Sequence, residues 1–317
     1  MKPEGVDRRK SFRLDFVQKV LKVDESSHTV VMELEPDPRR YEWRESQGRR
    51  YLYDRLDKIA ISEEAYQDLA EQVVGKPIYY QPCKIDNIEH YIESRLPIIN
   101  RMLDGIFQPP SFEDKSEEFL RSLAADRLAF VIISLDIVGS TRLATSTDPK
   151  TYAGLISVIL YELSELVPKF WGHILKYTGD GLIAYFPEPS FITMNDAALY
   201  CALTMRMVVY QALNTALLQR GLPQIAIRIG IDAGEAYIQT IGSPETKQHK
   251  DIIGAVVSLA AKIQARAKPG EIYLGDTVNR NLHTSWRQLC EPVDVGKDWG
   301  YRDTHGESYR IHRIKLA

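Results

Sequence analysis

Apolar positions along this chain repeat with two different periods, and the changes of period define its elements. From residue 129 onward, short apolar runs typical of strands alternate with longer stretches of helical spacing. The predicted elements are a strand at 129–136, a helix at about 150–170, a hairpin around residue 180, a second long helix and a strand at 225–232. Strand, helix, two strands, helix and strand predict an α+β fold with a ferredoxin-like βαββαβ core and helices on one face.

Turn and cap residues set the expected ends of these elements. Gly172 follows the first long helix at a position suited to a left-handed cap, and Asn195 is expected to cap the second long helix. That helix stops at Gly221, and a shorter helix over 254–267 ends before Pro269 and Gly270. The last apolar run, ESYRIHRI, predicts an edge strand.

The first 110 residues have a different, mixed pattern. Two strands joined by the polar turn DESSHT precede a helix that Ser62 is expected to cap, and a further helix is interrupted by Pro97. The segment QPPSFEDKSEE, with paired Pro109 and Pro110, is the best candidate for a boundary. We therefore predict an N-terminal extension over 1–110, of unknown role, and a second domain over 111–317.

Composition narrows the functional classes. The chain has 317 residues, 44% of them hydrophobic and 26% charged, which is typical of a soluble globular protein. A net charge of −3 gives no reason to expect a nucleic-acid partner. Its three cysteines show no metal-ligand spacing, and no apolar run approaches the ~20 residues of a membrane span, so we expect a cytoplasmic protein with no membrane partner.

Two aspartates at strand ends carry the candidate chemistry. Asp136 closes the apolar run FVIISLD, and Asp180 lies between two glycines at the tip of the hairpin LKYTGDGLIAYF. Magnesium and manganese prefer oxygen ligands, often one or two carboxylates with phosphates and water. The small residues after Asp136 are Ile137, Val138, Gly139, Ser140 and Thr141, whose backbone N–H groups suit close approach by phosphate oxygens. The pattern indicates a two-metal site for a nucleoside triphosphate, although a helix-capping and a hairpin-turn aspartate would look alike singly.

Four ordered motifs resemble a known family. The segments FVIISLDIVGSTRL and KYTGDGLIAYF are similar to the metal-binding motifs of class III nucleotide cyclases, the catalytic domain of adenylate and guanylate cyclases. The segments IAIRIGIDAGEAY and KDIIGAVVSLAAKI resemble that family's central strand pair and its dimer-arm and helix motif. The resemblance covers about residues 128–317 and implies a nucleotidyl cyclase that releases pyrophosphate.

The resemblance also implies roles for individual residues. Asp136, Asp180 and the carbonyl of Ile137 would hold two divalent cations, Mg²⁺ or Mn²⁺. Lys176 and Asp251 match base-selecting residues of adenylate cyclases. In that family two catalytic domains share their active sites, so a homodimer is implied in which Lys176 and Asp180 of one hairpin serve different sites.

Two positions depart from the family pattern. Ser258 stands where asparagine is usual, and Lys262 stands where an arginine stabilises charge on the reacting phosphate. Lysine supplies a point charge rather than a bidentate fork, which leaves the nucleobase open. The chain also resembles the pyrimidine cyclases of bacterial Pycsar anti-phage systems, which implies cyclic UMP or cyclic CMP as product, with cyclic AMP as the alternative.

Two other functions fit parts of the pattern. A cyclase domain that has lost its chemistry and binds nucleotide as a regulatory module would also carry Ser258 and Lys262, but it would not need Asp136 and Asp180. A related palm-type nucleotidyl transferase would need a Gly-Gly-Asp/Glu-Glu-Phe type hairpin, whereas this hairpin reads TGDGLIAYF. Lys262 could also be a solvated charge on an amphipathic helix, and Arg228 is interpreted as a structural or surface residue rather than a catalytic one.

Overall fold

The computed structural model describes residues 13–24, 29–73, 83–106, 115–123, 126–187, 191–303 and 306–315. The chain divides into two compact units: one combines 1–82 with 283–288, and the other combines 83–282 with 289–317. The strands are β1 Phe16–Asp24, β2 Thr29–Pro36, β3 Tyr41–Ser46, β4 Arg49–Asp54, β5 Ile59–Ser62, β6 Arg127–Val138, β7 His173–Tyr177, β8 Gly181–Pro187, β9 Ala226–Ser243, β10 Lys247–Ile253, β11 Ile272–Gly275, β12 Cys290–Pro292 and β13 Ile311–Ile314.

The helices are α1 Glu63–Val73, α2 Ile88–Leu103, α3 Lys115–Ser122, α4 Ser140–Ser146, α5 Pro149–Leu166, α6 Phe191–Met207, α7 Asn214–Leu218, α8 Ala255–Arg266, α9 Asp276–Asn281 and α10 Thr284–Arg287. A 3₁₀ turn over Val167–Phe170 follows α5, and a π-helical segment over Val208–Leu213 joins α6 to α7. Across the described ranges no helix is long and apolar enough to cross a membrane.

One large sheet organises the second unit. Its strands follow the order β12-β13-β11-β9-β6-β8-β7, and β10 pairs with the far end of β9. Since α5 joins β6 to the β7–β8 hairpin and α6 joins that hairpin to β9, the predicted βαββαβ core is confirmed. The prediction of an edge strand near the C-terminus is wrong, because β13 lies between β12 and β11.

The sheet carries helices on both faces. Phe130, Ile132 and Tyr185 form a buried cluster with Ala260 of α8 and Leu120 of α3. Successive strand residues point to opposite faces, so Phe186 points away from this cluster, toward the turn that follows α5. The sequence predicts helices on one face of the sheet only. In the structure α8 covers the opposite face, where its apolar side packs against Phe130, Ile132 and Tyr185.

Two expected helix caps are placed differently. The left-handed residue after the first long helix is Trp171, with φ 64°, and not Gly172. Asn195 lies inside α6, where it is fully buried, rather than at the start of the helix. Gly172 is needed for space instead, because a Cβ there would lie 2.7 Å from the Phe186 ring and 2.9 Å from Val167 Cγ1.

A Gly172→Ala variant is expected to lower the free energy of unfolding by about 1–3 kcal/mol, because the added methyl group must displace a buried ring and a buried valine. Urea unfolding measures the loss. Gly154→Ala on α5 is the matched control, since a Cβ at position 154 meets nothing within 4 Å. That variant should be neutral or stabilising by up to about 1 kcal/mol, and equal losses in the two variants would contradict the packing argument.

The structure groups α2 with the second unit. Arg95 of α2 donates two hydrogen bonds, of 2.9 and 2.7 Å, to the carboxylate of Glu162 on α5, which is fully buried. The two compact units divide at 82/83, and the domain boundary at 110/111 stays a prediction. The predicted linker around Pro109 and Pro110 falls outside the described residues.

The first unit is built around a buried arginine. Arg40 is fully buried and donates to Asp15, Asp54 and Asp57 at 2.7–3.1 Å. The segment 283–288 belongs to this unit, where Thr284 donates its hydroxyl to Asp15 at 2.6 Å. As predicted, β1 and β2 form a hairpin, and Ser62 Oγ accepts from Ala65 N at 3.1 Å at the start of α1.

Candidate active site

Strand pairing brings the two candidate aspartates to the same end of the sheet. Asp136 lies on β6 directly opposite Gly181, the first residue of β8, and Asp180 is the residue just before it. A side chain at position 181 would run into the carbonyl oxygen of Leu135, so only glycine lets the strands approach this closely. The approach places the backbone of Asp180 beside the end of β6.

The turn after Asp136 leaves backbone groups unpaired on one side. Because β8 begins opposite Asp136, Ile137 and Val138 pair with β9 but no longer with β8. Gly139 then adopts a left-handed conformation, with φ 75°, and its carbonyl accepts the first hydrogen bond of α4, from Leu143 N at 3.0 Å. Ser140 is buried and Thr141 is exposed at the start of that helix. This turn is a place where an oxyanion can approach main-chain groups.

Asp136 has a cationic partner on the neighbouring strand. Arg228 lies directly opposite it on β9 and donates from Nε and Nη2 to Asp136 Oδ2, at 2.9 and 2.7 Å. Directly opposite residues share a face of the sheet, so the contact follows from the strand register. The sequence alone does not identify Arg228 as this partner, because the contact becomes visible only once β6 and β9 are aligned.

The oxygen set fits a hard divalent cation. Both hydrogen bonds from Arg228 end on Oδ2, so among the described residues the structure gives Oδ1 of Asp136 no hydrogen-bond partner. Asp180, the Ile137 carbonyl and Asp136 would hold Mg²⁺ or Mn²⁺, with the remaining positions left to phosphate and water. Within the same ranges no three His, Cys, Asp or Glu side chains group as a metal site, so these two carboxylates would need the nucleotide as a further ligand.

Lys176 and Asp251 meet, although 75 residues separate them. Lys176 Nζ lies 2.5 Å from Asp251 Oδ2, with the lysine 41% exposed and the aspartate 9% exposed. A bulge between Ile174 and Lys176 shifts the edge strand β7 at this point, and bulges redirect side chains. Asp251 is further fixed by the N–H of Ile252, which donates to its Oδ1 at 2.8 Å. The two residues expected to select the base lie side by side, while that role stays a prediction.

Ser258 and Lys262 project from one side of α8. They are four residues apart on the helix and both are exposed, whereas Val256, Ala260 and Ile263 of the same helix are buried. The helix thus fixes its apolar side on the sheet and presents the serine and the lysine together. No contact within the described chain links this pair to Asp136 or Lys176.

Asp232, on the central strand, is a buried structural acid. Tyr309 donates its hydroxyl to Asp232 Oδ1 at 2.6 Å and so ties β9 to the segment before β13. Burial raises the pKa of Asp232 to about 7, against an ordinary value of 3.8, and the Tyr309 bond only partly offsets this. The folded protein therefore keeps this carboxyl protonated where the unfolded chain has lost the proton.

Stability is expected to fall as pH rises from about 4 through about 7, because the folded state binds the Asp232 proton across that window and the unfolded state does not. Asp232→Asn keeps an acceptor for Tyr309 but cannot titrate. Between pH 5 and pH 8 the variant should lose less free energy of unfolding than the wild type, by on the order of 2 kcal/mol. Urea unfolding at the two pH values measures this, and identical changes would show that Asp232 is ionised in the folded protein throughout.

The sequence of this chain is similar to a known family and to curated relatives. The family model of the adenylate and guanylate cyclase catalytic domain matches residues 127–297. An adenylate cyclase from Anabaena cylindrica is 27% identical over 202 residues, 61% of this chain and 38% of that protein. A cytidylate cyclase from Escherichia coli is 26% identical over 160 residues, 48% of this chain and 35% of that protein.

The fold has solved counterparts. The crystal structure of the adenylyl cyclase CyaB from P. aeruginosa superposes with a TM-score of 0.53 at 22% sequence identity, over 62% of this chain and 97% of that chain. The likeness supports the fold of the second unit. This chain spans less than two fifths of the length of the two curated relatives named above.

Proposed function

The chain belongs to the class III adenylate and guanylate cyclase family, and we infer that it converts a nucleoside triphosphate to a 3′,5′-cyclic nucleotide and pyrophosphate. One observation carries the inference: the Asp136–Gly181 register places the Asp180 turn beside the end of β6, next to the left-handed turn at Gly139. This arrangement offers oxygen ligands and main-chain donors at one place, as phosphoryl transfer requires.

In the proposed reaction the 3′-oxygen bonds to the α-phosphorus while the bond to the pyrophosphate oxygen breaks, and the hydroxyl proton leaves to solvent. Two Mg²⁺ or Mn²⁺ ions held by Asp136, Asp180 and the Ile137 carbonyl would lower the pKa of the hydroxyl and neutralise the leaving group. Backbone N–H groups of residues 137–141 orient the phosphates, and Lys262 offsets charge on the reacting phosphate. Ser258 supplies a hydroxyl for positioning.

We propose a cytoplasmic homodimer with shared active sites. Within the described residues of one chain, Lys176 contacts Asp251, while Ser258 and Lys262 have no contact with the aspartate pair. A second catalytic domain would bring a base-reading pair and an α8 lysine to each aspartate pair. The monomer would then be inactive.

The ion pair of Lys176 and Asp251 offers one donor and one acceptor to a base. Adenine and cytosine can place their exocyclic amino group on the aspartate and a ring nitrogen on the lysine. Guanine and uracil can instead accept from the lysine with a carbonyl oxygen and donate a ring N–H to the aspartate. We favour a pyrimidine triphosphate and cyclic CMP or cyclic UMP in anti-phage signalling, with cyclic AMP as the alternative. The similarity to a cytidylate cyclase supports a cytidine nucleotide as substrate.

Asp251→Asn is expected to lower kcat/KM for the preferred nucleotide by about 100-fold or more, because a buried base donor loses its charged acceptor. The ratio of kcat/KM for the preferred nucleotide to kcat/KM for the other nucleotides should fall at the same time. Asp294→Asn, on an exposed loop, is the control and should leave both values unchanged. If Asp251→Asn lowers kcat/KM equally for all four nucleotides, Asp251 does not select the base.

The function is tested by incubating the full chain with each of the four ribonucleoside triphosphates and Mn²⁺ and identifying the cyclic product. One cyclic pyrimidine nucleotide is the expected result, and turnover of ATP alone would show that the pyrimidine assignment is wrong. Ser258 and Lys262 favour a second candidate, a regulatory module that binds nucleotide without turnover. Nucleotide binding without pyrophosphate release from any of the four would select that candidate.

A further inference from the structure

The β1–β2 hairpin carries an apolar stripe along one face. Directly opposite residues of an antiparallel pair share a face, and the register pairs Val20 with Met32 and Val23 with Val30. An extra residue, Leu21, lies between these two pairs and keeps the apolar positions on the same side. The apolar stripe, interrupted only by Gln18, consists of Phe16, Val20, Val23, Val30, Met32, Leu34 and Pro36.

The opposite face of the hairpin, here called the polar face, carries charges of both signs. Lys19 lies opposite Glu33, with their charged groups 3.8 Å apart, and Lys22 and Glu35 share this face with the valines directly opposite them, Val31 and Val17. The sequence places charge on this face and none on the apolar stripe. Such a pattern is typical of a sheet with one covered face and one solvated face.

The apolar stripe is exposed to solvent at the end of the hairpin where β1 ends and β2 begins. Val20 is 56% exposed, Val23 59% and Val30 49%. Across the described residues β1 and β2 form a sheet of two strands only. A two-stranded hairpin is marginal by itself, and clustered exposed aliphatic side chains mark an interaction surface.

The area of the apolar stripe limits what can cover it. A strand of about eight residues at about 3.3 Å per residue is roughly 26 Å long, and a two-stranded hairpin is about 10 Å wide. The face of the hairpin therefore has an area of roughly 260 Å² per copy, or roughly 520 Å² for two facing copies. A stable interface needs about 1,200 Å² or more, so the partner must be held by a second contact as well. A lipid surface is disfavoured, because the charges on the polar face are of both signs and supply no attraction to anionic headgroups.

We propose that the apolar stripe packs on the apolar stripe of a second copy of this chain. The inference rests on the homodimer of the proposed function, in which the catalytic domains supply the second contact and a high effective concentration. An uncharged apolar face is self-complementary under two-fold symmetry, so no further residue type is required. The N-terminal unit would then strengthen the dimer that completes the active sites.

Neighbouring valines on β2 give a matched pair of test variants. Val30 belongs to the apolar stripe and Val31 to the polar face, and they are 49% and 53% exposed. Val30→Lys is expected to raise the dimer dissociation constant at least about tenfold, since a lysine would be buried without a partner. Val31→Lys should leave it within about threefold of the wild type. Sedimentation velocity over a concentration series without nucleotide measures both, and Val23→Lys repeats the test on β1.

Equal dissociation constants for the wild type and Val30→Lys would overturn the proposal, and so would a wild type that is monomeric throughout. Flotation with phosphatidylcholine and phosphatidylserine vesicles covers the lipid alternative. Binding that Val30→Lys abolishes, with an unchanged dimer, would assign the apolar stripe to lipid instead. Because sedimentation needs no turnover, a wild-type dimer that lacks cyclase activity would contradict the proposed function and leave this inference standing.

Discussion

An Asp136→Asn variant should lose turnover by about three orders of magnitude or more, to background, while its fold is retained. Removing the negative charge would weaken the cation site proposed at the end of β6, and electrostatic stabilisation of this kind supplies several kcal/mol of the barrier reduction. Asp136 also accepts both hydrogen bonds from Arg228 on one oxygen, so an asparagine with its amide oxygen in that position keeps the strand contact. Asp180→Asn should have a comparable effect from the hairpin side.

The readouts for these variants separate chemistry from folding. Pyrophosphate release measures turnover, and thermal unfolding with and without Mn²⁺ reports the cation site independently of activity. In the presence of a nucleoside triphosphate analogue that cannot be cyclised, Mn²⁺ should raise the melting temperature of the wild type and not of the variants. Glu235→Gln, an exposed carboxylate paired with Arg127 at the other end of β6, is the matched control and should retain activity. Wild-type turnover in either aspartate variant would rule out the metal assignment.

The core of the fold could be predicted because its signals are local. The periods of the apolar runs define β6, α5, the hairpin and α6, and their order confines the sheet to few topologies. Cap assignments failed where packing outweighs local preference. Position 172 needs glycine because a side chain there would collide with the Phe186 ring, not because its backbone is left-handed. Asn195 is buried within α6 instead of capping it.

The candidate site could be predicted as far as its residues follow strand ends and turns. Asp136 and Asp180 can be identified by their positions, since Asp136 ends one apolar run and Asp180 comes just before another. Arg228 could not be assigned, because its contact with Asp136 exists only in one register of β6 against β9. One residue of slip would turn its side chain to the other face of the sheet.

The placement of α2 shows a second limit of prediction from sequence, and the contact that holds this helix has a strong expected effect on stability. A paired-proline segment is a local signal, whereas the membership of α2 in the second unit depends on contacts distant in sequence. Arg95 and Glu162 are 67 positions apart, and Arg220 donates hydrogen bonds to the C-terminal end of α2. Glu162 is completely buried, and Arg95, 14% exposed, is its bidentate partner. Any change that removes the arginine leaves a carboxylate without compensation in the core.

Arg95→Ala should therefore lower the free energy of unfolding by about 3–5 kcal/mol, since breaking a buried pair strands the remaining charge. Replacing both residues, as in Arg95→Leu with Glu162→Leu, should recover most of that loss, because a desolvated charge no longer has to be accommodated. Urea denaturation of the full chain measures both variants. Arg121→Ala, which breaks the exposed pair with Glu117, is the control and should cost less than about 1 kcal/mol. If Arg95→Ala is as mild as that control, the buried ion pair with Glu162 does not fix α2 to the second unit.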